Sequence, residues 1–439
     1  MQGMILFYNF LLFFFLFLSS PYTLARLITT KRYRIGLRER LGDIPSKILK
    51  SLAGRRPIWV QAVSVGELVA ARPFLEILQK NYSCPILLST TTQAGHNIAE
   101  KLFPHLSLLF FPFDFPLIVR KFVRLVRPKI FIAVESEIWP NLLNILKKRK
   151  IPTVLINGRL SERSYSHYRS LRFFNKRLFG RFTRLGMRSE REVKHIINLG
   201  AKKKNVFVTG NLKYDAAISF QENLINEATT TSPVVARFIE VKDSPVIIFG
   251  SIHLEEEEEI VRHCARLRNS ALLIFAPRHP EKSKLKTLFK RKNIRYTLWS
   301  KVCRHPNPGD ALPQVGRERE KILILDTIGE LNSFYSIATL VFIGGTFIPW
   351  GGHNILEPAV FKKPVLFGPH MENFPEEAIA LKTSGGAIEV RDAANLYATL
   401  SALLANPERA KRMGEASFQA VKERSGATEK NLELIKGLI

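Results

Sequence analysis

The sequence predicts an α/β protein of two doubly wound, Rossmann-like parallel-sheet domains behind an apolar N-terminal segment. Short apolar runs alternate with helical periodicity along the chain, the pattern of βα units feeding a parallel sheet. That alternation stops in a polar stretch, Ala217 to Asp243, and then restarts. The length of 439 residues exceeds one ordinary domain, and a hydrophobic content of 46% supplies two cores.

The first element is Met4–Leu18, MILFYNFLLFFFLFL, which carries no charge. A basic run follows it, through Arg26, Lys31, Arg32, Arg34, Arg38 and Arg40. A cleaved signal peptide has its positive charge before the apolar stretch; here the charge comes after. By the positive-inside rule the bulk of the chain then faces the cytoplasm. A buried core helix is the alternative, but an aromatic-aliphatic run of this kind suits lipid better. The stretch is short for a full span, so two topologies stay open: a crossing that includes Pro21–Ile28, or a monotopic anchor in one leaflet.

Pro57–Val63 reads as a buried strand, followed by the tight connection Ser64-Val65-Gly66-Glu67 and helical periodicity over Leu68–Leu78. Further strands are expected at Pro85–Ser89, Leu108–Pro112, Lys129–Val134, Pro152–Ile156 and Asn205–Thr209. Beyond the polar stretch, strands are expected at Pro245–Phe249, Ala271–Phe275, Lys321–Leu325, Leu340–Ile343, Pro364–Phe367 and Ala387–Val390. Lys301–Arg319, with several Pro and Gly, reads as a surface loop. The expected boundaries are a membrane anchor over 1–28, a first domain over 29–218, a linker over 219–243 and a second domain over 244–439. Ligands of such sheets sit at the C-terminal ends of the strands.

Lys and Arg number 66 against 38 Asp and Glu, a formal charge of +28. Nucleic acid, anionic lipid or a small polyanionic substrate would each explain such an excess. The chain carries no RRM, zinc-finger or helix-turn-helix signature, so no nucleic-acid partner is expected. Cys84, Cys264 and Cys303 are far apart and form neither a disulfide framework nor a metal knuckle. There is no GxGxxG after the first strand, no P-loop and no HExxH, so neither a dinucleotide cofactor nor a metal is expected.

Four strand ends hold clusters that carry chemistry. In Ser64-Val65-Gly66-Glu67 the glycine allows close approach of a ligand, and Glu67 is either a cleft carboxylate or a first-turn acid matched to the helix dipole. Glu135-Ser136-Glu137 crowds two acids at a strand exit; a capping role for Ser136 or Glu137 is the alternative. Gly210-Asn211-Leu212-Lys213 places a lysine near the domain junction, where a solvated side chain is the commoner outcome. In the second domain, Pro277-Arg278-His279-Pro280 offers a guanidinium fork for phosphate, and Ile328-Gly329-Glu330 opens a helix. Gly344-Gly345-Thr346 leads to Gly351-Gly352-His353-Asn354-Ile355-Leu356-Glu357. That run reads as a nucleotide cradle, amides for phosphate and Glu357 for ribose hydroxyls, or as a glycine-rich turn with a solvated His353. The acids Glu255–Glu259 read as dipole-favoured residues on a solvated helix.

Taken in order, these motifs resemble the 3-deoxy-D-manno-octulosonic acid (Kdo) transferases of Gram-negative lipid A assembly. The resemblance runs over nearly the whole chain. Besides the clusters above it includes Thr90-Thr91-Thr92, Pro112-Phe113-Asp114-Phe115-Pro116, Ile138-Trp139-Pro140-Asn141 and Asn157-Gly158-Arg159-Leu160-Ser161. It implies a GT-B glycosyltransferase: an N-terminal acceptor domain and a C-terminal donor domain facing a cleft, with the C-terminal helix a candidate to cross back. It also implies a CMP-Kdo donor, a lipid IVA-type acceptor, inversion at the anomeric carbon, and placement on the cytoplasmic face of the inner membrane against an anionic surface. No cofactor or metal is implied.

Carried over, Glu67 corresponds to the general base, and Glu135 and Lys213 to residues supporting the transition state. Pro277, Arg278, Ile328, Gly329, Glu330, Asn354, Ile355, Leu356 and Glu357 correspond to the CMP site. The sequence departs from the family pattern at Gln61 (usually His), Gly158 (usually Ala), Ile328 (usually Met) and Ile252 (usually Thr), and at Leu254-Glu255. These departures bear on substrate preference. Within the same fold, a transferase using another nucleotide sugar is the alternative.

Overall fold

The structure, a computed structural model, describes residues 2–52, 54–170, 172–226, 244–302 and 321–439. Residues 227–243 of the expected linker, and all but the first two residues of the expected loop at Lys301–Arg319, lie outside the described residues. The chain divides into two compact units, one comprising Met1–Ala216 with Ser425–Ile439, the other Ala217–Arg424.

The first unit holds strands β1 (Ile58–Gln61), β2 (Ile86–Thr90), β3 (Ser107–Phe110), β4 (Ile130–Val134), β5 (Thr153–Gly158), β6 (Arg184–Met187) and β7 (Val206–Val208). They form one sheet in the order β3-β2-β1-β4-β5-β6-β7, with every pairing parallel. β1, β2, β4 and β5 are buried along their whole length, as a sheet covered by helices on both faces requires. The pleat sends Trp59 to one core, with Phe122 and Phe131, and Ile58 and Val60 to the other. The second of these cores is completed by the last helix of the chain, Ala427–Ile435, through Ala427, Leu434 and Ile435. Asp215 fixes the entry to that helix by accepting from Gly426 N (2.7 Å) and Ala427 N (3.0 Å). Arg184 Nη1 donates to Leu434 O at its far end (2.8 Å).

The second unit holds β8 (Val246–Ile252), β9 (Leu272–Pro277), β10 (Thr297–Leu298), β11 (Ile322–Ile324), β12 (Leu340–Ile343), β13 (Val365–Phe367) and β14 (Ala387–Glu389). Their order is β10-β11-β9-β8-β12-β13-β14, again all parallel. In each sheet the chain starts in the middle and builds to both sides, with β10 laid down at the edge of the second sheet before β11 fills the place beside β9. The reversal falls between β1 and β4 in the first unit and between β8 and β12 in the second. At such a point the flanking connections diverge to opposite faces and leave a crevice at the strand ends.

Two strands escaped the sequence reading. β6 contains Gly186 and starts on a half-buried arginine, and β10 is two residues long. The segment read as one helix over Leu68–Leu78 is two, Val65–Ala70 and Arg72–Asn81. Proline at the second position of the latter lacks the N–H that a continuous helix would use.

The N-terminal helix, Gln2–Thr29, is long and apolar enough to cross a membrane, and only 6% of its most apolar window is buried. Its polar interruptions are used: the Tyr8 hydroxyl donates to Asp114 Oδ2 (3.1 Å), and Asn9 Oδ1 accepts from Asn141 Nδ2 (2.7 Å).

Candidate active site

Glu67 lies in the first turn of the helix that follows β1, at the reversal point of the first sheet. Ser64 caps that helix, and Glu67 Oε2 reaches back to accept from Val63 N (2.7 Å). Its other oxygen has no hydrogen-bond partner among the described residues. The side chain therefore has both the helix-start role and a free lone pair. Beside it the surface is open: a Cβ built on Gly66 would meet nothing within 4 Å. Burial pushes the Glu67 carboxyl up to about 8, with Glu135 and Glu137 adding to the rise and the Val63 N–H and Arg188 opposing it. A carboxyl poised near neutrality beside open space is suited to taking a proton.

Glu135 leaves β4, the strand on the other side of the reversal. Its backbone sits at φ 65°, a left-handed conformation that costs a non-glycine residue on the order of 1–3 kcal/mol. What holds it there is a buried network. Arg188 Nη2 ion-pairs with Glu135 Oε1, and Arg188 Nε donates to Asn157 Oδ1 (3.1 Å). Asn157 Oδ1 also accepts from Leu212 N (3.0 Å), the residue before Lys213. The network thus ties the Glu135 connection to the first turn of Leu212–Asn226, where Lys213 is half-buried. The capping alternative for Glu135-Ser136-Glu137 does not hold. The next helix begins at Pro140 with no side-chain cap, Ser136 Oγ donates to Arg159 O, and Glu137 Oε2 accepts from Trp139 Nε1 (2.6 Å). Burial raises the Glu137 carboxyl, opposed by hydrogen bonds from Trp139 and Gln61 and assisted by Glu135. Three carboxylates thus share one electrostatic neighbourhood with, among the described residues, the guanidinium of Arg188. Sequence reasoning missed Arg188; the arginine directly after a strand at Met187-Arg188-Ser189 was the available signal.

In the second unit the reversal point gathers His253, which follows β8, and the glycine-rich run after β12. His253 Nε2 and His353 Nε2 lie 2.8 Å apart, and Trp350, mostly exposed, stacks on His253 at 5.0 Å. Burial lowers both imidazoles, His353 to about 4 with Arg278, His253 and His279 contributing. The His353 ring is therefore neutral at pH 7. Arg278 is exposed at the end of β9, and its backbone N–H donates to Ile252 O (2.8 Å). Asn354 caps Leu356 N through Oδ1 (3.1 Å) and donates from Nδ2 to Glu357 Oε1 (3.1 Å). Burial pushes Glu357 up to about 7, with Asn354 and Arg278 opposing. Pro277 and Arg278 thus share a neighbourhood with Asn354, Ile355, Leu356 and Glu357. Ile328, Gly329 and Glu330 follow β11: Ile328 is 84% exposed, Gly329 sits at φ 114° with open space at its Cβ, and Glu330 accepts from the Thr327 hydroxyl (2.8 Å).

Three expectations are corrected here. The acids Glu255–Glu259 are not all solvated, for Glu256 and Glu257 are buried. Glu256 accepts from four backbone amides, those of His253, Gly345, Thr346 and Phe347, at 2.6–2.9 Å. The Gly345-Thr346 amides are therefore already occupied by a side-chain carboxylate and are not the donors of a phosphate cradle. Gly352, at φ 74°, is required where it stands, because a Cβ would meet Met371 Sδ at 2.6 Å. His353 is half-buried rather than solvated.

Two α/β units of parallel strands, each with its polar constellation at the sheet reversal, are the construction of a GT-B-type glycosyltransferase. The fold is similar to a UDP-GlcNAc 2-epimerase from Neisseria meningitidis (TM-score 0.60, 13% identity, 86% of this chain and 99% of that one). It is also similar to a glycosyltransferase from Rickettsia africae (TM-score 0.51, 13% identity, 88% and 99%). Residues 36–216 match the family model described as 3-deoxy-D-manno-octulosonic-acid transferase (kdotransferase). Over 416 residues the chain is 32% identical to the 3-deoxy-D-manno-octulosonic acid transferase of Haemophilus influenzae, covering 93% of this chain and 92% of that protein. The chain belongs to the 3-deoxy-D-manno-octulosonic acid transferase family, and it is a glycosyltransferase.

Proposed function

We propose that this enzyme transfers Kdo from CMP-Kdo to a lipid IVA-type acceptor at the cytoplasmic face of the inner membrane, inverting the anomeric carbon, with Glu67 as general base. The observation that carries the reading is the Glu67 carboxyl itself, half-buried at a sheet reversal, raised to about 8, with one oxygen unpartnered among the described residues and open space beside it.

The acceptor hydroxyl has a pKa far above neutrality and attacks only as its proton leaves. Glu67 takes that proton while the hydroxyl oxygen bonds to the anomeric carbon of Kdo. The bond from that carbon to the phosphate oxygen breaks, and CMP departs with the electron pair. A single base with no covalent partner gives inversion. Arg278 and Lys213 neutralise the leaving phosphate, and we propose that they suffice without a divalent ion. Pro277, Ile328, Gly329, Glu330, Asn354, Ile355, Leu356 and Glu357 line the CMP site, the amide-capping pair Asn354–Glu357 addressing the ribose. Glu135, held by Arg188, and Lys213 support the transition state. The net charge of +28 suits two anionic substrates and an anionic membrane surface, with no nucleic acid among the partners.

Ligand-induced thermal protection tests the donor assignment. At 100 times its Kd, CMP should stabilise the protein by about 2.7 kcal/mol, and Arg278→Ala should remove most of that. Protection by a UDP-sugar but not by CMP or CTP would defeat the proposal.

A further inference from the structure

We infer that the first unit carries a site for the phosphate headgroup of an anionic phospholipid, in the pocket where the N-terminal helix docks against Pro116–Val126 and Pro140–Lys148. This site is separate from the acceptor and donor sites above.

The pocket has a volume of about 480 Å³, and its walls are of two kinds. Ile5 and Leu6 of the N-terminal helix, with Ile145, give an apolar side. Arg120, Lys148 and Arg149 give a cationic side. All three cations are exposed, and none has a side-chain hydrogen bond or ion pair among the described residues. No carboxylate lines the pocket among those residues. Three converging positive charges with no counter-ion repel one another, and an anion placed among them relieves that repulsion. A soluble anion would leave the apolar wall wet; a lipid fills both walls, with its phosphate on the cations and its glycerol and first methylenes against Ile5 and Leu6.

The docking of the helix sets the depth of the pocket. The bonds from Tyr8 to Asp114 and from Asn9 to Asn141, and the contact of Phe13 with Phe115 (ring centroids 5.4 Å), all lie in the N-terminal half of the helix. The C-terminal half leads directly into Lys31. The N-terminal half of the helix is therefore held at the unit's surface. A helix so held lies along the membrane plane, with Phe15 (71% exposed) and Phe17 (79%) free for the leaflet. Leu117 (75% exposed) extends that apolar surface on the neighbouring helix. The mouth of the pocket then faces the headgroup layer, where polybasic groups attract anionic lipid.

The test is native mass spectrometry of the delipidated full chain in neutral detergent, titrated with phosphatidylglycerol, phosphatidylcholine or inorganic phosphate. The wild type should bind one phosphatidylglycerol saturably and phosphatidylcholine much more weakly. Arg120→Ala/Lys148→Ala/Arg149→Ala should weaken phosphatidylglycerol binding at least roughly tenfold. Lys202→Ala/Lys203→Ala/Lys204→Ala, an exposed triple elsewhere on the same unit, should leave it within about twofold. Circular dichroism melting of both triples controls for folding. Equal losses in the two triples would mean diffuse charge attraction and overturn the proposal. So would displacement by inorganic phosphate at equal concentration, or one-for-one displacement by the phosphorylated acceptor lipid.

Discussion

Replacing Glu67 by Gln leaves an oxygen to accept the Val63 N–H bond and removes the proton acceptor. With the carboxyl at about 8 in the free protein, about a tenth of the molecules hold the ionised base at pH 7 and about a hundredth at pH 6. For the wild type, kcat/KM should climb about tenfold per pH unit on the acid side and level off above about pH 8. Glu67→Gln should lower kcat/KM by roughly 10² to 10⁴ and abolish the acid limb, with CMP affinity intact. Glu137→Gln, which removes one of the like charges raising Glu67, should move the limb to lower pH. Stability runs the other way. A carboxyl raised on folding binds its proton more tightly in the native state, so this group contributes a decline in stability as pH rises from the ordinary carboxylate range to about 8. Glu67→Gln should flatten that decline. The assay is the initial rate of CMP release at subsaturating donor across roughly pH 5.5 to 9.5, the acid limb and its plateau, with melting curves over the same range. An acid limb that persists in Glu67→Gln, or turnover within a few-fold of wild type, refutes the assignment.

Three further outcomes follow from the geometry. Arg188→Met strips the buried partner from Glu135, which should cost roughly 3–5 kcal/mol in urea unfolding. Because Arg188 holds Glu67 down, the acid limb should also move to higher pH; an unmoved limb would separate Arg188 from the site. Arg278→Ala, at an exposed position, should raise the donor KM by roughly ten- to a hundredfold, the worth of a charge-assisted hydrogen bond, with Tm nearly unchanged. An unchanged donor KM counts against it. Deleting residues 425–439 removes Leu434 and Ile435 from the first unit's core, at about 1.5–3 kcal/mol each. The first unit should then unfold at lower temperature while the second keeps its transition, read by calorimetry; a single unshifted transition would contradict the shared core.

The long central strands were legible because burial on both faces leaves a continuous apolar run, as at Ile130–Val134. β6 and β10 were not, since a strand of two to four residues containing glycine or arginine has no period to read. At the site, position alone left Glu67 open, because an acid in the first turn of a helix is a common placement; the family resemblance singled it out. Pairing was not legible either. Arg188 reaches Glu135 across 53 positions of sequence, and Glu256 reaches Gly345 across 89. Local pattern carries no trace of either, so the acids of Glu255–Glu259 read alike although one of them fills the loop after β12.

The most direct test is product analysis with the purified full chain, CMP-Kdo and a defined bis-phosphorylated lipid IVA acceptor. The account predicts release of one CMP for each Kdo gained by the lipid, with inverted anomeric configuration by NMR, and loss of both in Glu67→Gln. Retained configuration, or transfer from a UDP-sugar while CMP-Kdo stays intact, would contradict it.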